Sequence, residues 1–206
     1  QAAPAAPPAA RPGVCNLPPV SVTAGCTSVV GLVVGKTIYV ANAGDSRAVM
    51  CRKGSAFALS EDHKPMDERE LTRIEAVGGF VNQAGRVNGN LNLSRSIGDL
   101  KYKQSDAPPA AQMITAEPDI VSVEMEEGDQ FMILACDGIW DCMSNQEAVD
   151  FVLERLVGGM SPLEVAEACM DACISEDPKK TTGIGGDNMT CVVVTFPGVS
   201  FQGHSL

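Results

Sequence analysis

The order of structural signals along the chain predicts an α+β fold. Glycine-punctuated runs rich in Val, Ile and Tyr fill the first part, two well-capped helical segments lie in the second, and one more strand closes the pattern. Strands, helices and strands again, without regular βαβ alternation, indicate segregated elements. At 206 residues the chain is long enough to bury a core as one domain, and a domain missing part of its length would look the same.

Residues 1–24 are Ala/Pro-rich and almost uncharged, so they bury too little apolar surface to offset the entropy of ordering. A disordered linker is expected there, an ordered region over 25–197, and a tail over 198–206. The first ordered pattern reads as a β-meander with strands Thr27 to Val34, Thr37 to Ala41, Arg47 to Arg52 and Ala56 to Leu59. Its turns fall at Gly35-Lys36, Gly44-Asp45 and Lys53-Gly54, and consecutive strands are expected to pair antiparallel. Leu71, Ile74 and Val77 then recur at helical spacing, which predicts a helix over Met66 to Val77 that stops at Gly78-Gly79.

The segment Phe80 to Lys101 is rich in Asn, Gly and Arg, with too few apolar residues for a core element of its own. It reads as a long surface excursion of the kind that carries function. Ile120 to Met125 and Phe131 to Ala135 predict a second hairpin around Glu127-Gly128-Asp129. Two helices follow, each opened by a capping box: Ser144 with Glu147, and Ser161 with Glu164, the latter with Pro162 at the first helical position. Val149, Val152, Leu153 and Leu156 form the apolar stripe of the first, and Val165, Cys169 and Cys173 that of the second. Met189 to Thr195 is the final strand.

Composition narrows the partners. A net charge of -11 with no Lys/Arg cluster argues against nucleic acid. No apolar run approaches the roughly 20 residues of a membrane helix, and the start lacks a secretion-signal pattern. The chain therefore reads as intracellular, cytoplasmic or nuclear, with no membrane partner. Eight scattered cysteines without zinc spacing read as reduced core thiols. Gly31 to Thr37 imitates a phosphate-binding loop, but it is one residue short and joins two strands.

Acids at strand tips are the informative feature. Ile133 to Asp141 runs an apolar strand directly into Asp137 and Asp141, Gly44-Asp45 follows another strand, and Gly186-Asp187 precedes a third. Each alone is an ordinary turn or helix-opening signal. Together they invite one divalent ion. Two carboxylates about 4 Å apart repel by roughly 1 kcal/mol in water and roughly 4 kcal/mol at an effective dielectric near 20, so an acidic cluster without lysines needs protons or a cation. All-oxygen ligands select Mg²⁺ or Mn²⁺ over zinc. Arg86 and Arg95 would suit a phosphorylated substrate, or would hold the excursion through backbone carbonyls. Arg47 is expected to pair with Asp45 or Asp99, and Trp140 to anchor the core.

The strings Val40-Ala41-Asn42-Ala43-Gly44-Asp45-Ser46-Arg47, Asp62-His63-Lys64-Pro65, Arg86-Val87-Asn88-Gly89 with Leu93 to Asp99, the run ending at Asp141, and Asp187-Asn188-Met189-Thr190 occur in this order. Together they resemble the metal-dependent protein serine/threonine phosphatases of type 2C, with wording nearest the gamma subgroup. The resemblance implies an antiparallel β-sandwich flanked by helices. It also implies two Mn²⁺ or Mg²⁺ ions with a possible third, and a water between the ions that attacks phosphoserine or phosphothreonine. Carried across, Asp137 and Asp187 hold one ion of the pair, while Asp45 with Asp137 and Asp141 forms a weaker third position. Pro65 to Tyr102 matches the flap beside the active site.

The family's first-half motifs, including the ligand that bridges both ions, a proposed His acid and a phosphate-binding Arg, have no match here. The chain thus resembles the C-terminal half of such a domain. Its expected partners are phosphoproteins and the missing half or another copy of the chain. The alternative is a non-catalytic interaction module that keeps the fold.

Overall fold

A computed structural model describes residues 24–199 and 201. The expected linker lies outside them apart from Ala24. In chain order the first elements are β1 (Gly25–Cys26), β2 (Ser28–Val34), β3 (Thr37–Ala43), β4 (Arg47–Arg52), β5 (Ser55–Ala58), α1 (Glu68–Ala76) and β6 (Ile97–Gly98). After these come β7 (Asp119–Glu124), β8 (Asp129–Ala135), α2 (Asp137–Trp140), α3 (Asn145–Val157), α4 (Pro162–Cys173) and β9 (Cys191–Thr195).

Two antiparallel sheets stack face to face, one in the order β2-β3-β7 and the other β5-β4-β8-β9, and α3 and α4 cover the second. The strand period of two explains how one sheet serves two cores. Ala48, Met50 and Met132 point between the sheets, where they meet Ile38, Val40, Leu59 and Phe196. Their neighbours Val49, Cys51, Phe131, Ile133 and Ala135 point the other way, onto Val149, Val152, Leu156, Val165, Cys169 and Cys173. Leu153 is only partly buried. Both capping boxes form, with the Ser144 and Ser161 side chains accepting from the N–H groups of Glu147 and Glu164. The result is an α+β sandwich flanked by helices, as expected.

The strand positions match expectation, but the meander and the second hairpin do not. β3 pairs with β2 and β7, whereas β4 pairs with β5 and β8, so the Gly44-Asp45-Ser46 turn crosses from one sheet to the other. β7 and β8 likewise lie in different sheets. Burial supplies the reason. Residues Ala48 to Cys51 are all buried, because β4 is covered on both faces, while β3 alternates buried and exposed.

The excursion also differs from expectation, because its few apolar residues do make a core. Val87 joins Ile74 of α1, Tyr102 and Ile114, with Val81, Leu91, Leu93 and Met113 packed around them. They come from α1, isolated bridges and loops, and Tyr102, Met113 and Ile114 lie beyond the expected segment, so no periodicity announced the cluster.

Among the described residues, the outer face of the three-stranded sheet is exposed. Register places Val30, Ala41 and Ile120 in one row and Leu32, Tyr39 and Ser122 in the next. Leu32 is 57 % exposed and Ile120 67 % exposed.

Ile133 sits in the centre of the sheet–helix core, so Ile133→Ala is expected to lower the unfolding free energy by about 2–5 kcal/mol. Urea denaturation measures it, and Leu32→Ala on the exposed face is expected to cost far less in the same assay.

Candidate metal centre

The crossing turn places the first acid. Gly44 has φ 121°, and a Cβ there would lie 2.4 Å from Cγ2 of Thr27 and 3.0 Å from the Arg95 carbonyl oxygen, so only glycine fits. Its N–H donates to Nδ1 of His63 at 3.1 Å, and its carbonyl accepts from the His63 N–H at 3.0 Å and from Nδ2 of Asn42 at 3.1 Å. Asp45 is thereby held on rigid backbone, and it is buried. Because Nδ1 of His63 accepts, the hydrogen-bond network assigns its ring proton to Nε2, which faces Asp119 Oδ2 at 3.2 Å.

The second acid follows β8. Cys136 caps the short α2, and the indole N–H of buried Trp140 donates to the Ala135 carbonyl at 2.8 Å, which fixes the turn that carries Asp137 and Asp141. Gly138 lets the 187–190 segment approach, since a Cβ there would lie 2.4 Å from the Asn188 carbonyl oxygen. Cys136 clamps the same segment. Its N–H donates to the Thr190 carbonyl at 3.2 Å, and its sulfur accepts from the Thr190 N–H at 3.2 Å. Asp187 thus comes beside Asp137 from the start of β9.

Charge reports the convergence. Burial raises the Asp137 carboxyl above its ordinary value, and the charges of Asp45, Asp187 and Asp141 push in the same direction, opposed by Lys64. Asp45, Asp141 and Asp187 therefore all lie near enough for their charges to act on Asp137. The expectation of a cluster without lysine is corrected, because Lys64 Nζ lies 2.8 Å from Asp45 Oδ2 and 3.9 Å from Asp62 Oδ2. Burial pushes the Lys64 ammonium down, but the bond to Asp45 and the charges of Asp45, Asp62 and Asp137 outweigh it and raise it. The signal was present in Asp62-His63-Lys64-Pro65, but nothing local in that string says which acid the lysine meets.

The donor set suits a hard divalent ion, being carboxylates crowded enough to raise one of them. Among the described residues, however, no three His, Cys, Asp or Glu side chains gather closely enough to hold an ion by themselves.

The arginines are placed elsewhere. Arg47 forms a bidentate pair with Asp62 at 2.8 and 2.9 Å instead of meeting Asp45 or Asp99, donates to Asn145 Oδ1 at 2.6 Å, and lies 5.2 Å from the Trp140 ring centroid. Exposed Arg86 donates to the Asn90 carbonyl at 2.6 Å. Arg95 is buried and bonds Glu70 at 2.7 Å, Asp119 at 2.9 Å and the Glu117 carbonyl at 2.9 Å. Glu70, which the sequence pattern did not single out, is 1 % exposed and also accepts from Arg73 at 2.6 Å and Ser94 at 2.7 Å. Asp119 gathers Arg69, Arg95 and His63, and these bonds overcome its burial and hold its carboxyl below the usual range.

The profile of Protein phosphatase 2C matches residues 18–182. The chain belongs to the protein phosphatase 2C family. Asp187 lies just beyond the matched residues. The chain is 53 % identical over 172 residues to Protein phosphatase 2C homolog 3 of Schizosaccharomyces pombe, covering 84 % of this chain and 41 % of that protein. It is 50 % identical over 175 residues to Probable protein phosphatase 2C 21 of Arabidopsis thaliana, covering 84 % of this chain and 48 % of the relative. Among solved structures, a phosphatase from a pathogenic strain of Toxoplasma gondii superposes with a TM-score of 0.66 at 32 % identity, over 78 % of this chain and 48 % of that one. The chain thus spans less than half the length of these type 2C relatives.

Two outcomes follow. Burial pushes the Glu70 carboxyl up, but Arg95, Ser94 and Arg73 prevail and hold it at about 2 against an ordinary 4.5. Its stabilisation is therefore complete above pH 4.5 and lost as pH falls toward 2, amounting to about 3 kcal/mol. Glu70→Gln is expected to flatten that acid limb, read from unfolding midpoints against pH, and Glu70→Ala, which strands Arg95, to cost about 3–5 kcal/mol. Asp137 has the opposite sign, because its carboxylate is disfavoured in the fold. Without divalent ions, Asp137→Asn is expected to raise the thermal midpoint at neutral pH, by an amount that shrinks on acidification.

Proposed function

We propose that this chain is the C-terminal, gamma-like half of a Mn²⁺- or Mg²⁺-dependent protein serine/threonine phosphatase, and that it carries part of an active site completed by the preceding half. The observation that supports this most is that Asp45, Asp141 and Asp187, brought by the β3–β4 turn, the end of α2 and the approach to β9, all act on Asp137 with a repulsion only partly relieved by Lys64. A cation-free binding module has no physical need for that repulsion.

On this reading Asp137 and Asp187 hold one ion of a pair, and Asp45 with Asp137 and Asp141 contributes to a third position. Mn²⁺ or Mg²⁺ bound there would supply Lewis-acid stabilisation of a phosphoryl group and a lowered pKa for bound water. The chain's own residues set the geometry. Gly44 and His63 fix the Asp45 turn, and Cys136 and Gly138 hold Asp187 beside Asp137. The unit built on Ile74, Val87, Tyr102 and Ile114 stands beside the cluster through the Ser94 N–H and hydroxyl bonds to the His63 carbonyl at 3.4 and 2.9 Å. It would border a phosphoserine or phosphothreonine substrate. Arg95 is committed to Glu70 and Asp119, so exposed Arg86 is the better placed of the two to meet phosphate.

The missing half also has a place to join. An open groove of about 380 Å³ separates β2 from β9, lined by Thr27, Val29, Leu134, Cys136, Thr190 and Val192, and it runs beside the acid cluster. The exposed apolar residues Val30, Leu32, Tyr39 and Ile120, in two adjacent rows, would give a joining segment, or a second copy, a face to cover.

Hydrolysis of a phosphothreonine peptide tests the proposal. Activity that requires both Mn²⁺ and the preceding half is the expected outcome, with Asp187→Asn reducing the rate by more than the roughly 100-fold typical of residues supporting a metal site. No activity with the half supplied in cis or in trans would overturn it and leave the non-catalytic module.

A further inference from the structure

We propose that Lys64 is the resident counter-cation of Asp45, and that a divalent ion engages this carboxylate only when the ammonium leaves it for Asp62. The inference rests on the metal-dependent reading above and concerns a residue to which that reading gives no part.

Three observations carry it. The ammonium lies 2.8 Å from Asp45 Oδ2, on a carboxylate that is only 4 % exposed, and so occupies an oxygen that an ion at Asp45 would require. The lysine backbone is fixed while its side chain is free to swing. Its N–H donates to Asp67 Oδ2 at 2.9 Å and its carbonyl accepts from the Asp67 N–H at 3.0 Å, yet the side chain is 42 % exposed. Finally, an alternative seat lies within reach, since Asp62 Oδ2 is 3.9 Å from the ammonium. Asp62 already accepts from Arg47 on both oxygens, and each oxygen keeps a further lone pair that a lysine there would share.

Charge determines which cation wins. Asp45, Asp137, Asp141 and Asp187 are four carboxylates, and Lys64 supplies one positive charge because the Arg47 guanidinium is committed to Asp62. A single ammonium leaves the cluster strongly negative, and a divalent ion relieves more of that repulsion than the monovalent group it displaces. The lysine therefore does two things. Without an ion it keeps a buried Asp45 from standing uncompensated, and as the ion concentration rises it sets the threshold at which this position fills.

The test is direct cation binding by this chain, alone and joined to the preceding half, with Mg²⁺ and Mn²⁺ as probes. Lys64→Gln is expected to bind Mn²⁺ about tenfold tighter by titration, the affinity equivalent of losing one competing charge-assisted hydrogen bond. Lys64→Arg keeps the competing charge and is expected to stay near the parent. Lys53→Gln controls for net charge and is expected to gain little. Adding Asp45→Asn to Lys64→Gln is expected to erase the gain. In nitrogen-detected spectra of lysine ammonium groups, Mg²⁺ is expected to shift the Lys64 signal and leave Lys101 in place. Equal or weaker binding by Lys64→Gln, or a Lys64 signal unmoved at saturating Mg²⁺, would overturn the inference while leaving a Mn²⁺-dependent phosphatase intact. Failure of the parent and all variants to bind either ion in both forms would overturn the inference and the metal-dependent reading together.

Discussion

Coverage of β4 and β8 on both faces is the constraint from which the rest of the molecule follows. A strand whose alternate side chains enter two different cores leaves no solvated face, so the second sheet covers it on one side and helices on the other, and the preceding strand lies in that second sheet. The links from β3 to β4 and from β7 to β8 become crossings between layers. Crossings need abrupt backbone, which Gly44 provides at φ 121°. The β3–β4 crossing lies at the rim where β8 ends, since Arg47 pairs with Ala135, and short polar residues sit there without a pleat to disturb. Asp45 and Asp137 occupy such ends, and the Cys136–Thr190 clamp brings the approach to β9 to the same rim.

The cost of that rim is electrostatic. Carboxylates brought together before any ion arrives repel, and the raised Asp137 carboxyl is the visible consequence. A stable protein without ions needs a partial remedy, and the nearest cation on this chain is Lys64, delivered by the turn that also carries Asp62 and His63. Full compensation by two or three lysines would make a quiet surface and close the rim to metal. One exposed lysine leaves the rim negative and its own place negotiable.

A second charged network has the opposite character. Glu70 is enclosed by Arg73, Arg95 and Ser94, and Asp119 by Arg69, Arg95 and His63, so that nearly every donor has an acceptor. Such a network fixes the α1 unit to the β3–β7 edge of the sandwich, and through His63 it reaches the Gly44 turn. The α1 unit and the acid-bearing rim are therefore joined by hydrogen bonds as well as by packing.

The sequence alone determined the local structure and the candidate acids. Strand runs, capping serines with their glutamates, and the α1 stripe depend on contacts within a few residues, and an apolar strand that ends in Asp137 is visible as a string. Only the tertiary structure decided partnership. Which strands share a sheet depends on what covers each face, and periodicity cannot report that for β4, buried throughout. Glu70 carries no local mark of burial and is enclosed by Arg95 and Ser94 from another segment, while Val87 read as a loop residue until Ile114 reached it. Lys64 stood in plain view nineteen positions from Asp45. Charge pairing at that separation is fixed by where two turns meet, and the meeting is a property of the folded layers.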